Sequence, residues 1–267
     1  MNHTNTTVQA EPTFGSRMRA MLKLDFYRLF HTPAFYIMLF VAAMIPALLL
    51  TTAGVEPSGA AAGTPIQATP SIEIINVWQL VESSGGSAIA ENPLDFGGFA
   101  NINMVFIFAG LLMAIFVAHD YSSGFAKNIF TVHSKKMDYV VSKSTIGVFG
   151  GTGMIITYVI GAVASGLIMG KSFDVNVAGL VMCLVSKILL MGVFCSLFLG
   201  IAVFFRNKLW LTIIFTFLLG MVLYPAGSIA TLSSSVVTIL ISLLAGVIGA
   251  VAFGAISTLF LKKRDLA

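Results

Sequence analysis

Apolar residues along this chain gather into six runs, at about 34–53, 99–118, 145–169, 177–204, 209–231 and 235–261. Each is long enough to cross a hydrocarbon core of roughly 30 Å, which takes about 20 helical residues. The polar stretches between the runs alternate in kind. Arg17, Arg19, Lys23 and Arg28 precede the first run, and Lys127, Lys135, Lys136 and Lys143 separate the second from the third. Arg206 and Lys208 separate the fourth from the fifth, and Lys262, Lys263 and Arg264 follow the sixth. With the runs as successive spans, thirteen of the 15 basic residues fall on one side. The other side has only Lys171, and its segment 54–98 carries Glu56, Glu73, Glu82, Glu91 and Asp95 with no Lys or Arg. Short loops rich in Lys and Arg stay in the cytoplasm. The pattern therefore predicts an all-α integral membrane protein with six transmembrane helices and both termini cytoplasmic.

Composition agrees: 57% of residues are hydrophobic, 10% are charged and the mean hydropathy is +0.95. A chain of this kind has lipid as its main solvent. Its net charge of +4 is spread over short loops as a topology signal, so nucleic acid is not an expected partner. Cys183 and Cys195 sit on one predicted helix, about 18 Å apart along its axis, and cannot bridge each other. The arm before the first run is too long for a cleaved signal peptide, and so is the run itself. The first span is expected to remain uncleaved.

Residues 1–13 lack apolar periodicity and read as a disordered cytoplasmic tail. From 14 to 33, Met18, Leu22, Phe26, Leu29 and Phe30 recur at helical spacing while Arg17, Arg19, Lys23 and Arg28 lie off the stripe. That predicts an amphipathic helix in the cytoplasmic interface, ended by Thr32 and Pro33. In the outer segment 54–98, a short element around Trp78 is expected at the outer interface, the depth Trp favours. Small residues recur at four-residue spacing in Gly147/Gly151, Gly161/Ser165, Gly192/Ser196/Gly200 and Gly246/Ala250/Gly254. Such spacing lets helix backbones approach closely. The absence of an internal repeat argues against an inverted-repeat transporter.

Catalytic chemistry finds little support. The nearest approach to a phosphate-binding loop is Ser165-Gly166-Leu-Ile-Met-Gly170-Lys171-Ser172, which lacks the first glycine and ends a span instead of joining strand to helix. No run carries an interior Asp or Glu, and His3, His31, His119 and His133 form no ligand set. The chain is expected to have no catalytic residue, no metal and no cofactor of its own. Lys187 is the charged residue inside a run, about ten residues into the fourth. Intramembrane ionisable residues are functional candidates by default. Its expected partners are Tyr158 or Thr157, water, or an anionic group of substrate, so Lys187 and Tyr158 are candidate pathway residues.

The loop from His119 to Lys143 is denser in candidate chemistry. Asp120 follows the second run, Ser123-Gly124 leads into Phe125, Lys127, Ile129 and Phe130, and Ser134, Lys135, Lys136, Tyr139 and Lys143 lead into the third. A short helix with an apolar face is expected there. With six spans, an amphipathic N-terminal helix and both ends inside, the chain resembles the permeases of type-2 ATP-binding-cassette exporters over essentially its whole length. In that family an acid and a glycine close the second span, a coupling helix follows, and a Ser/basic/aromatic stretch re-enters the membrane. Asp120, Gly124, Ser134, Lys135, Tyr139 and Lys143 match that order.

The resemblance implies a permease subunit in the plasma membrane, bacterial by type, which pairs with a second permease, identical or paralogous, and with two separate ATPase subunits. ATP and Mg would be bound in those partners. Asp120, Gly124, Phe125, Lys127, Ile129, Phe130 and Lys135 would form the coupling site, with Phe125, Ile129 and Phe130 as apolar knobs in an ATPase groove. Tyr224, Pro225 and Gly227 would break the fifth run into an outer re-entrant element, since Pro225 and Gly227 interrupt a helix. The long outer segment 54–98 departs from the family pattern. Spans rich in Phe and Met suit an amphiphilic or hydrophobic cargo: first a peptide, such as an antimicrobial one, then a lipid-linked molecule or a drug. Two other readings are a gradient-driven transporter or channel using Lys187, and a membrane scaffold or sensor that recruits a soluble protein through the 119–143 loop.

Overall fold

The computed structural model describes residues 13–52, 76–81, 101–131, 135–206 and 208–264. The N-terminal tail, the acidic residues of the outer segment, His133 and Ser134 lie outside these. Among the described residues eight α-helices follow in order: α1 Phe14–Phe30, α2 Pro33–Thr52, α3 Met104–Ser122, α4 Phe125–Thr131, α5 Lys136–Ile168, α6 Val177–Phe205, α7 Leu209–Leu223 and α8 Val236–Arg264. The described residues also form two 3-10 turns, Val77–Leu80 and Tyr224–Ile229, and no β-strand. Five helices, α2, α3, α5, α6 and α8, are long and apolar enough to cross a membrane.

The fifth run differs from a single span. α7 is 15 residues long and stops at Leu223, and the chain continues as the 3-10 turn with Pro225 near its start. Proline cannot donate the helical hydrogen bond, which ends the α-helix there. α5 in turn starts at Lys136, ahead of the third run, so Tyr139 and Lys143 stand on the same helix as its apolar portion.

Contacts at small residues give the helix directions. On α5, Gly150 faces Phe35, Gly153 faces Leu39 and Gly161 lies against the Ala43 backbone, so α2 and α5 run the same way. Gly147 and Gly151 meet Cys195 and Met191, which sets α6 antiparallel to α5. Gly246 and Gly249 meet Leu189 and Val193, and α8 therefore runs parallel to α6. α7 begins where Phe215 packs on Phe205 and finishes with Gly220 against Ile107, near the start of α3. Successive long helices thus alternate in direction. One end of the bundle, here the basic end, gathers α1, α4, the starts of α2, α5 and α7, and the ends of α3, α6 and α8.

The core centres on α3, α5 and α6, with Phe106, Phe194, Phe198, Met154 and Tyr158 buried among them. α8 exposes Val236, Val237, Leu240, Ile241, Leu244, Val247, Ile248 and Val251, as a helix facing lipid would. α1 packs on α5, and its buried positions are Met21, Asp25 and Leu29. The expected stripe of Met18, Leu22 and Phe26 flanks that face half-buried, while Phe30 is exposed.

The α2–α5 crossing is the tightest test of small-residue packing, because a Cβ at Gly161 would overlap the Ala43 carbonyl. Gly161→Val is expected to force the two helices apart at a destabilisation of about 1–3 kcal/mol, the usual range for overpacking. Thermal unfolding of the purified protein reads this directly, and Gly192→Val, where nothing lies within 4 Å, serves as the tolerant control.

Candidate functional site

The polar residues of this bundle concentrate in two places, one at each end. At the basic end a charge cluster forms beneath the loop between α3 and α5. Lys143, in the second turn of α5, is fully buried, and its Nζ lies 2.6 Å from Asp25 Oδ1 and 2.7 Å from Asp120 Oδ2. Ser142 Oγ donates to Asp25 Oδ2 at 2.7 Å, and Tyr139 OH donates to Asp120 Oδ2 at 2.9 Å. Arg28 brings a second cation to Asp120 Oδ1 at 2.5 Å. Two acids and two bases make the group neutral, as burial requires: a lone charge there would carry a desolvation penalty of several kcal/mol. Aromatic rings close it. Lys143 Nζ lies 4.3 Å from the Phe116 ring centre, and the Arg28 guanidinium lies 4.0 Å from that of Phe125, both within cation–π range. Beside the cluster, Arg17 pairs with Asp138 at 2.9 Å.

Four elements meet in this cluster: Asp25 and Arg28 come from α1, Phe116 and Asp120 from α3, Phe125 from α4, and Tyr139, Ser142 and Lys143 from α5. The loop emerges from it by a defined turn. Gly124 has φ 72°, in the left-handed region that costs any residue with a Cβ about 1–2 kcal/mol. Nothing crowds its Cβ position, so conformation alone selects glycine there.

The expected coupling residues therefore divide in a way their order in the sequence did not show. Asp120 is buried and paired, which makes it a positioning residue unable to touch a partner. Phe125, Ile129 and Phe130 are half-buried. Phe125 lids the cluster, while Ile129 and Phe130 pack on the group of Met21, Met113, Val117 and Tyr139, with Phe130 edge-on to Tyr139 at 5.3 Å. A seven-residue helix beside a membrane bundle buries its apolar side where apolar surface is nearest. The outward face is Lys127, Asn128 and Thr131, bordered by Ser122, Ser123 and Lys135, all exposed.

At the opposite end, hydrogen bonds anchor the non-helical backbone. Lys187, fully buried in the third turn of α6, donates to Asn103 Oδ1 at 2.8 Å and to the Gly227 carbonyl at 3.0 Å. Tyr158 OH donates to the Leu80 carbonyl at 3.0 Å. Thr157 Oγ1 is turned back to the Met154 carbonyl. Tyr158 and Thr157, the side chains expected beside Lys187, donate to these backbone carbonyls, and Lys187 and Tyr158 each hold one of the 3-10 turns. A Cβ at Gly227 would come within 2.5 Å of Asn103 Oδ1, so only glycine lets that carbonyl reach the ammonium. Of the outer re-entrant candidates, Gly227 is bound this way, and Tyr224 and Pro225 open the same turn. Trp78 is sewn on by Nε1, which donates to the Phe173 carbonyl at 3.0 Å.

The stretch resembling a phosphate loop proves to be a helix terminus. Gly170, at φ 63°, follows the last turn of α5, and Lys171 N–H donates to the Gly166 carbonyl at 3.0 Å, closing a Schellman cap. Among the described residues no group of three His, Cys, Asp or Glu could hold a metal. Four residues of these two clusters escaped sequence reasoning, Asp25, Phe116, Ser142 and Asn103. Asp25 left a signal: it stands four residues from both Met21 and Leu29, an acid in line with apolar positions. Comparison with protein-family models, curated proteins and solved structures finds no match.

Proposed function

We propose that this chain is the membrane subunit of an ATP-driven exporter of the type-2 ATP-binding-cassette class. It would move an amphiphilic or hydrophobic cargo, a peptide foremost, out across a bacterial plasma membrane. Two separate ATPase subunits bind and hydrolyse ATP with Mg, and a second permease, identical or paralogous, completes the pathway. The chain itself catalyses nothing.

One observation carries this reading: α4 is a short helix between two long ones, α3 and α5, and its Phe125 closes a buried neutral cluster built from α1, α3 and α5. A docking element that must pass force into a bundle needs such rigid attachment at its root. Its outward side, Lys127, Asn128 and Thr131, is the surface a soluble partner would meet. The hydrogen bonds of Lys187 to Asn103 and Gly227 favour a clamp over an ion-linked switch, which weighs against a gradient-driven carrier.

The test follows from the side chains that face outward. Replacing Phe125, Ile129 or Phe130 would damage the bundle and answer nothing about docking. Lys127→Glu with Thr131→Asp changes only the exposed face. Co-expressed with an ATP-binding-cassette ATPase that co-purifies with the wild-type chain, the variant is expected to lose co-purification and to lower affinity roughly tenfold or more, as for an interface anchor worth at least about 1.4 kcal/mol. Cargo-stimulated ATP hydrolysis should fall with it. A complex and hydrolysis indistinguishable from wild type would refute the assignment.

A further inference from the structure

We propose that the basic end of the bundle carries a site for one anionic phospholipid, with an acyl chain in the cleft between α7 and α8 and the phosphate on Lys208 and Lys262. α7 packs on α3 and α6, and α8 packs on α6 and α5, so a cleft of about 380 Å³ remains between them with α6 as its floor. Phe215 and Leu219 of α7 form one wall, Phe253 and Phe260 of α8 the other, and Ile201 and Phe204 line the base. Gly200 sits on the floor and adds no side chain, which deepens it.

The lining selects the occupant. Ser257 beside the floor spends its hydroxyl on the Phe253 carbonyl, so the cleft offers little to a peptide backbone, whose groups each cost several kcal/mol unsatisfied in apolar surroundings. An acyl chain has no such groups. The mouth then sets the headgroup. The Phe204 and Phe260 rings lie 5.3 Å apart, which brings the ends of α6 and α8 together. Lys208 and Lys262 follow those rings within one turn or so, and both are exposed. The described acids at this end, Asp25, Asp120 and Asp138, are buried in ion pairs and leave that rim positive. Exposed Trp210 marks headgroup depth beside it. A second copy related by a twofold axis would press two such positive rims together.

The inference depends on membrane embedding and not on the exporter reading, so each can fail alone. The probe is phosphatidylglycerol bearing a photoreactive group near the end of one acyl chain, reconstituted with the full-length protein in liposomes and compared with the same label on phosphatidylcholine. Crosslinks are expected at 197–219 and 253–260, with a preference for phosphatidylglycerol of roughly thirty-fold, the equivalent of about 1 kcal/mol for each lysine. Lys208→Gln with Lys262→Gln, both exposed and harmless to folding, should abolish the preference, and Leu219→Trp should abolish crosslinking in the cleft with either lipid. Equal labelling by the two lipids would overturn the proposal, as would a preference untouched by the lysine variant. So would protection of the cleft by a second copy or by a hydrophobic peptide in place of lipid.

Discussion

Lys143→Met is expected to lower the melting temperature of the purified protein by roughly 10 °C, because breaking a buried ion pair costs about 3–5 kcal/mol. The cause is specific. Without the ammonium, Asp25 and Asp120 remain buried with Arg28 as the single cation of the cluster, and the group acquires a net negative charge in a dry site. The double variant Lys143→Met with Asp25→Leu should recover much of the loss, since Asp120 and Arg28 then form a neutral pair and the vacated space is apolar. Recovery of this kind is what a double-mutant cycle detects as coupling. If Lys143→Met melts like wild type, the cluster does not hold the four elements together. Under the exporter reading the same single variant would also lose cargo-stimulated hydrolysis while the exposed face of α4 is unchanged, because the root of the docking helix would have come loose.

The second large effect is local. Lys187→Met removes two hydrogen bonds from a charged donor to Asn103 Oδ1 and the Gly227 carbonyl, each worth about 1.5 kcal/mol or more. Together they correspond to a rise of roughly a hundred-fold in the opening of the Tyr224–Ile229 turn, at about 1.4 kcal/mol per factor of ten. Amide hydrogen exchange over that turn should speed up accordingly while the amides of α3 and α5 stay protected. Tyr158→Phe should do the same, more weakly, to the Val77–Leu80 turn, whose carbonyl at Leu80 loses one neutral donor. Uniform exchange across the bundle in the Lys187 variant would show that the lysine supports the whole fold and not the turn.

Both predictions concern charges whose partners lie on other elements: Asp138, the acid on the helix of Lys143, pairs with Arg17, and the helix of Lys187 carries no acid. The order of Asp120, Gly124, Tyr139 and Lys143 was visible along the loop, and so was a short helix between two spans. What could not be seen is that Asp25, on a helix more than a hundred residues earlier, completes the neutral set. Lys187 stands out by its depth in an apolar run, but its partners sit at the N-cap of α3 and on the turn after α7, which only folding brings together.

By itself the sequence determined the all-helical class, the apolar helices, the alternation of basic and acidic stretches, the break after Leu223 and the glycines that let helices touch. These follow from local rules: hydropathy over about 20 residues, proline's missing N–H, and the small volume of glycine. The tertiary structure alone decided which side of α1 and α4 faces inward, which charges neutralise one another, and where the cleft between α7 and α8 opens. Those outcomes depend on distance in space and on desolvation, and a buried charge takes its partner from whichever helix packs against it, however far away that helix lies in the chain.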